Sequence, residues 1–151
     1  MAIQVSGTSV IDNSRNLQNI GSGEFSGRLS IRDVEEFVNT SSSTSGTINF
    51  NLDDAAVLRL TNNQAANRTL NLQVTMDVGD SVTCAVIWPN GGSAYYASTI
   101  QVNGTTSGVD IKWVGGGPTE GIASSWEVYS FTIFETSANN YTLLASKTAF
   151  E

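Results

Sequence analysis

Histidine is absent from this sequence and cysteine occurs once, and these two gaps exclude much of enzyme chemistry. A Ser-His-Asp triad, a Cys-His dyad and a histidine-based metal site all need an imidazole that the chain does not contain. A single cysteine cannot form an internal disulfide bond, so no disulfide framework supports the fold. Because Cys84 lies in the apolar run 82–88, we predict that it is a small buried core residue.

Charged residues are also scarce, at 14% of the 151 residues, against about 25% in an average soluble protein. Seven are basic and fourteen are acidic, which gives a net charge of −7. This balance argues against nucleic acid as a partner, because that affinity comes largely from neutralising phosphates, and against anionic membranes. No apolar run reaches the roughly 20 residues of a membrane span, and the first residues lack a signal-peptide pattern. We therefore expect a soluble protein that is made in a cytoplasm.

The most informative stretch of the chain is residues 109–134. Its first five residues, from Val109 to Trp113, alternate between apolar and charged side chains, which predicts a half-buried strand. A glycine-rich turn ends that strand. From Trp126 to Phe134 both faces carry apolar side chains, which is typical of an inner strand covered on both sides.

Short alternating runs separated by turn residues continue from residue 47 to the end of the chain. The turns include Asn103-Gly104, a favoured type I′ pair, and the loop 136–140 of a final hairpin. Turns at intervals of about 8 to 12 residues are typical of sandwiches and barrels. The sequence therefore predicts an all-β fold, with an antiparallel β-sandwich or jelly-roll-like domain over residues 47–151. The predicted strands are 48–52, 57–60, 69–76, 82–88, 100–102, 109–113, 126–134 and 141–145.

Residues 1–46 are predicted to form an extended N-terminal arm with at most one short helix, over residues 30–38. The polar run 40–46 is predicted to be a flexible link that separates the arm from the domain. Six aliphatic side chains near the start are too few to form a core alone. We therefore predict that they form an oligomerisation or docking interface. They are Ile3, Val5, Val10, Ile11, Leu17 and Ile20.

The same N-terminal segment carries a motif that can be written V-S-G-x-x-V-I-D-x-S-R-N-L-x-N-I. It begins at Val5 and ends at Ile20. It resembles an element that recurs in virion structural and tail-fibre proteins of tailed phages, marine phages especially. The motif is short, but it is fairly specific for a pattern of this kind.

Further segments of the chain resemble tail-fibre-like domains of such phages. Glu127 stands where aspartate is usual in that pattern, and Gly117 stands where alanine is commoner. The resemblance implies a virion protein, either a head-decoration (cement) protein or a short fibre component, and it implies a trimer. The segments are G-T-I-N-F at 46–50, W-P at 88–89, K-W-V-G-G-G-P-T at 112–119, E-V-Y-S-F-T at 127–132, and Phe150.

Carboxylates are the remaining candidates for catalysis or metal binding. Glu120 and Glu127 flank the glycine turn as a glycosidase pair would, but a solvated loop residue and an outward strand residue explain them better. The aspartates at 53–54 and at 77–80 lack the spaced ligands of a calcium loop and are interpreted as turn residues. We expect no catalytic residue, no cofactor and no metal ion.

Aromatic side chains suggest a binding function instead. Trp88, Tyr95 and Tyr96 border the loop 89–94 and could stack on sugar rings if they are exposed. Tryptophans at strand ends more often fill a core or a subunit interface, so the tyrosines are the better glycan candidates. Two hypotheses follow. The first is a non-enzymatic, surface-exposed homotrimeric virion protein whose partners are itself and other virion proteins. The alternative is a carbohydrate-binding receptor-recognition module of a tail fibre, whose partner is a host surface glycan.

Overall fold

The computed structural model describes the strands Ile3–Val5 and Thr8–Ile11 and residues 35–150. The chain divides into two compact units, Met1–Val34 and Glu35–Glu151. In the first unit, the strands Ile3–Val5 (β1) and Thr8–Ile11 (β2) pair antiparallel as a two-stranded sheet.

The second unit contains nine strands. They are β3 (Val38–Ser41), β4 (Ile48–Asn51), β5 (Val57–Leu60), β6 (Arg68–Gln73), β7 (Ser81–Pro89), β8 (Ala97–Val102), β9 (Val109–Trp113), β10 (Trp126–Ser137) and β11 (Asn140–Phe150). One sheet has the order β3-β5-β7-β10-β11-β9, and the other has the order β4-β6-β8. The described residues contain no helix, and so none that is long and apolar enough to cross a membrane. The predicted all-β class is confirmed for this part of the chain.

From β3 to β9, consecutive strands alternate between the two sheets. A chain that crosses to the other sheet and back returns in its original direction. Neighbours within a sheet therefore run parallel, both along β4-β6-β8 and along β3-β5-β7. Antiparallel strand pairs in this unit join β10 to β7 and to β11. The predicted antiparallel arrangement is thus wrong for most strand pairs.

Each strand predicted from residue 47 onward is present, as β4 to β11. The predicted final hairpin is confirmed by β10 and β11, with Phe131 opposite Ala145. The Asn103-Gly104 turn has positive φ at both residues, 50° and 83°, as a type I′ turn requires. The strand after it does not return along β8, because β9 pairs in parallel with β11. The local residues thus determine the type of turn, but they do not determine which strand β9 pairs with.

One hydrophobic cluster receives side chains from both sheets. Phe131 of the six-stranded sheet and Leu70 of the three-stranded sheet are both at most 1% exposed within it. A hydrogen bond also joins the sheets, since the backbone N of Ala97 donates to the hydroxyl of Tyr129 over 3.2 Å. Burial of each such large apolar side chain contributes roughly 1.5–3 kcal/mol to folding.

The structure corrects two predictions for residues 35–46. The helix predicted over residues 30–38 is wrong for its last four positions, because residues 35–37 are not helical and Val38 begins β3. Its earlier part lies outside the described residues. The division between units falls after Val34 rather than at residue 46, because β3 is paired with β5 of the domain.

Arg68 explains why the polar run 40–46 is not a free link. Its guanidinium donates from Nε to the carbonyl of Gly46 and from Nη1 to the carbonyl of Ser43, both over 2.8 Å. Nη1 also donates to Oε1 of Gln64 over 2.8 Å. The residue is 2% exposed, and burial lowers the pKa of Arg68. One buried side chain thus holds a segment whose composition predicts flexibility.

Candidate functional site

The three aromatic residues predicted as glycan candidates lie at the end of β7, which holds Trp88, and in the loop from β7 to β8, which holds Tyr95 and Tyr96. Trp88 is 0% exposed, and its ring packs 5.6 Å, centroid to centroid, from the ring of Tyr129. Its indole Nε1 donates to the carbonyl of Tyr95 over 3.0 Å. Neither face of this ring is available to a sugar, so the structure removes Trp88 from the candidates and assigns it to the core.

Tyr95 and Tyr96 are half-buried and remain the aromatic surface of this loop. The Asn90 side chain pairs with both backbone groups of Tyr95, accepting from its N over 3.2 Å and donating to its carbonyl over 2.9 Å. The backbone N of Tyr96 donates to Oδ1 of Asn67 over 3.1 Å. These bonds hold the backbone from which the two half-buried rings extend.

Glu127 was predicted to point outward, and this is wrong. It shares the inward face of β10 with Tyr129 and is 0% exposed. Its Oε1 accepts from Nζ of Lys147 over 2.9 Å and from the backbone N of Ile122 over 2.9 Å. The period of two in a strand puts residue 127 on the face of residue 129, so the sequence contained this signal.

The surroundings of Glu127 make it a structural anchor for the loop 115–125. Lys147 Nζ also donates to the carbonyl of Glu120 over 2.7 Å, whereas the Glu120 side chain is solvent-exposed. The hydroxyl of Tyr129 lies 3.4 Å from Oε2 of Glu127. Burial raises the pKa of Tyr129, and the neighbouring carboxylate raises it further. The Glu127 carboxylate is therefore buried and bonded to Lys147, whereas Glu120 takes part through its backbone carbonyl.

The turn aspartates bond to nearby amides, as predicted. Oδ2 of Asp54 accepts from Nδ2 of Asn51 over 2.8 Å, and Oδ1 of Asp53 accepts from the backbone N of Thr75 over 3.1 Å. Among residues 35–150 no three cysteine or carboxylate side chains are grouped as metal ligands would be.

Cys84 lies in the core, as predicted. It is 3% exposed and stands opposite Phe131 across the β7–β10 pair. Burial raises the pKa of the Cys84 thiol to about 12. The nucleophilic thiolate is therefore suppressed at neutral pH.

The six aliphatic residues predicted as an N-terminal interface are only partly within the described residues. Ile3 and Val5 belong to β1, and Val10 and Ile11 belong to β2. The two strands pair with each other, with Ile3 opposite Ile11, so their backbones find partners within the chain. Leu17 and Ile20 lie outside the described residues.

A further surface was not predicted as a site. The outward sides of β5, β7, β10, β11 and β9 form one face of the six-stranded sheet, which we call the apolar face. Trp126, Leu144 and Phe150 on this face are 46%, 51% and 58% exposed. Trp126 lies opposite Phe150, and the guanidinium of Arg59 lies 5.7 Å from the Trp126 ring centroid. In the sequence, this face was indicated only by the apolar residues at outward positions of β10.

The outward side of the three-stranded sheet, which we call the polar face, has a different character. Asn71 donates through Nδ2 to Oδ1 of Asn49 over 2.8 Å and accepts from the backbone N of Gly104 over 2.7 Å. Every outward side chain of this sheet is a neutral amide or hydroxyl. They are Asn49, Asn51, Thr69, Asn71, Gln73, Ser98, Thr99 and Gln101.

No protein-family model, curated protein or solved structure matches this chain. Function is therefore inferred from its residues and their geometry.

Proposed function

We propose that this protein is a non-enzymatic structural component of a tailed-phage virion, located on the virion surface as a homotrimeric head-decoration (cement) protein or a short fibre protein. Its domain is a β-sandwich made of the mixed six-stranded sheet and the parallel three-stranded sheet. Other virion proteins are its further partners. The phage assignment is supported by the sequence resemblance at both ends of the chain.

The observation that carries the assembly role is the apolar face. Large apolar side chains that several strands leave exposed on one face mark interaction sites. Trp126, Leu144 and Phe150 are about half-exposed there, although they belong to long, regularly paired strands. A chain whose fold leaves such a face open is suited to joining an assembly.

Two measurements on purified particles of the encoding phage test this role. Gold-labelled antibody against the chain is expected to decorate the head surface or the tail in electron micrographs, and mass spectrometry is expected to find the chain in many copies. Absence of the chain from washed particles would refute the proposal. Sedimentation of the isolated protein tests the trimer separately.

A second candidate function is a carbohydrate-binding receptor-recognition module. The observation that favours it is the hydrogen-bonded backbone that holds Tyr95 and Tyr96, since a pre-organised segment loses little entropy on binding. Glycan arrays test it, with the double variant Tyr95→Ala/Tyr96→Ala as control. Binding that the control loses supports this function. No binding at high protein concentration, or binding that the control retains, removes the loop as a glycan site.

A further inference from the structure

Strand β10 has an apolar inward face and a mixed outward face, and the fold covers only the inward one. Tyr129, Phe131 and Ile133 point into the hydrophobic cluster and are at most 1% exposed. The alternating residues point to the apolar face, where Trp126 is 46% exposed. Because three outward side chains of this strand, Trp126, Val128 and Phe134, are apolar, we expect a second cover over them. The second cover is missing from the described domain.

The apolar face is large enough for a stable subunit contact. The eight steps from Trp126 to Phe134 span about 26 Å, and β7, β10 and β11 lie side by side about 4.8 Å apart over this length, while β5 and β9 are shorter. The flat area is therefore about 500 Å², and protruding side chains increase the accessible area. A standard interface buries about 800 Å² on each partner. The face is of the required order.

Charge on the apolar face favours a second copy of the same chain. The protein carries a net charge of −7, so like copies repel except where acids are absent or neutralised. Asp110 is the only acid among the outward positions of the five strands, and its carboxylate lies 2.9 Å from Nζ of Lys112. Arg59, the other outward cation, lies against Trp126. The centre of the face carries no charge.

The polar groups and the shape of the face are also self-complementary. Thr83, Ser130, Thr132 and Ser146 carry hydroxyls, which both donate and accept hydrogen bonds and so can pair with their own kind. They line an open depression of about 430 Å³ beside Leu144. The face thus offers both protruding apolar side chains and a depression that can receive one.

We propose that the apolar face is the surface through which copies of this chain associate. This inference rests on the self-association in the proposed function, and it does not depend on the virion location. It places the principal subunit contact on the six-stranded sheet, whereas the sequence predicted an interface at six aliphatic residues of the N-terminal arm.

Sedimentation of the full-length protein tests the inference. The test variant is Trp126→Glu/Leu144→Glu, because the new carboxylates are hydrated and lie near Arg59 and Lys112 in a monomer, whereas a dry contact would have to remove these charges from water. The matched control is Gln73→Glu/Gln101→Glu, which adds the same charge to the polar face. The wild type and the control are expected to sediment as oligomers, and the test variant as a single chain of about 16.0 kDa.

The outcomes separate the two proposals. A monomeric wild type refutes self-association and this inference together. If the wild type and the test variant are both oligomeric, self-association stands. The apolar face is then not the subunit contact, and the inference is overturned. Monomers from both the test variant and the control would show that added charge alone prevents association, and this also overturns the inference. Virion labelling is unaffected by any of these results.

A fluorescence measurement on the wild type covers the case in which the test variant does not fold. Trp88 is 0% exposed and Trp113 is half-buried, so Trp126 is the tryptophan that a soluble quencher reaches most easily. Acrylamide quenching is expected to fall as protein concentration rises through the association range. Quenching that is unchanged while the oligomer forms would overturn the inference. If Trp126 remains protected from acrylamide even in dilute monomer, another segment of the same chain covers the apolar face. This result would also overturn the inference.

Discussion

The outward faces of the two sheets differ although both belong to one domain. The polar face carries neutral amides and hydroxyls, and its Asn49 and Asn71 side chains bond to each other. The apolar face carries Trp126, Leu144 and Phe150 in half-exposed positions. A polar outward side is what a sheet needs when one of its faces remains in water. An apolar outward side on long paired strands has no such benefit, and this contrast is the basis of the proposed subunit contact.

The strongest test of the comparison uses two adjacent leucines on β11. Leu143 is 0% exposed, whereas Leu144 is 51% exposed on the apolar face. Leu143→Ala is expected to lower the free energy of unfolding by about 2–5 kcal/mol, because it leaves a cavity in the core. Leu144→Ala is expected to change that free energy by less than about 0.5 kcal/mol in dilute monomer. Urea denaturation of both variants measures the difference. Equal costs would mean that Leu144 is buried within the single chain.

A smaller effect on the free energy of unfolding is expected for Arg68, the one charged residue of the three-stranded sheet, whose side chain points inward. Arg68→Met removes the donors to the carbonyls of Ser43 and Gly46 and to Gln64, and should cost about 1–3 kcal/mol. Hydrogen exchange in residues 42–46 should rise at the same time. Arg68→Lys is the control, because it keeps the charge but cannot span the three acceptors. If exchange in this run is as fast in the wild type as in Arg68→Met, the run is a flexible link after all.

The burial of Cys84 on the inner side of the six-stranded sheet can be tested by the pH dependence of stability. The folded state raises the pKa of Cys84 to about 12, while the unfolded thiol ionises near its ordinary pKa of about 8.5. The neutral thiol therefore stabilises the fold below that pH, and this stability is lost as pH rises. The expected slope approaches about 1.4 kcal/mol per pH unit once the unfolded thiol is ionised.

The control for this titration is Cys84→Ala, which lacks the thiol and shares every other titrating group. Unfolding free energies between pH 8 and 10 should fall more steeply in the wild type than in the variant. Parallel curves would show that Cys84 reaches water in the folded protein, and rapid labelling by a thiol reagent would show the same.

The smallest effect is expected on the polar face. Gln73→Ala and Gln101→Ala remove outward amides and should each change stability by less than about 0.5 kcal/mol. They should also leave the sedimentation of the protein unchanged. A loss above about 2 kcal/mol, or a change in oligomeric state, would show that this face is covered too and would remove the contrast between the two sheets.

The positions of the strands could be read from the chain, whereas their partners could not. Alternation placed β4 to β11, because a pleated strand exposes successive side chains to opposite environments. It also contained the inward direction of Glu127, which shares the face of Tyr129. β3 was missed because Val38 lies next to a polar run with no alternation of its own. The fixing of that run depends on Arg68, which is distant in sequence.

The sequence by itself determined the class of the fold, the turns and the burial of Cys84, because these depend on side-chain period and local backbone preference. Tertiary structure decided that strands alternate between two sheets, that β9 joins β11, and that Glu127 meets Lys147. It also decided which apolar side chains stay exposed. Whether an apolar residue is covered depends on what packs over it, and for Leu143 and Leu144 the neighbouring sequence is the same while the two sides of the sheet are not.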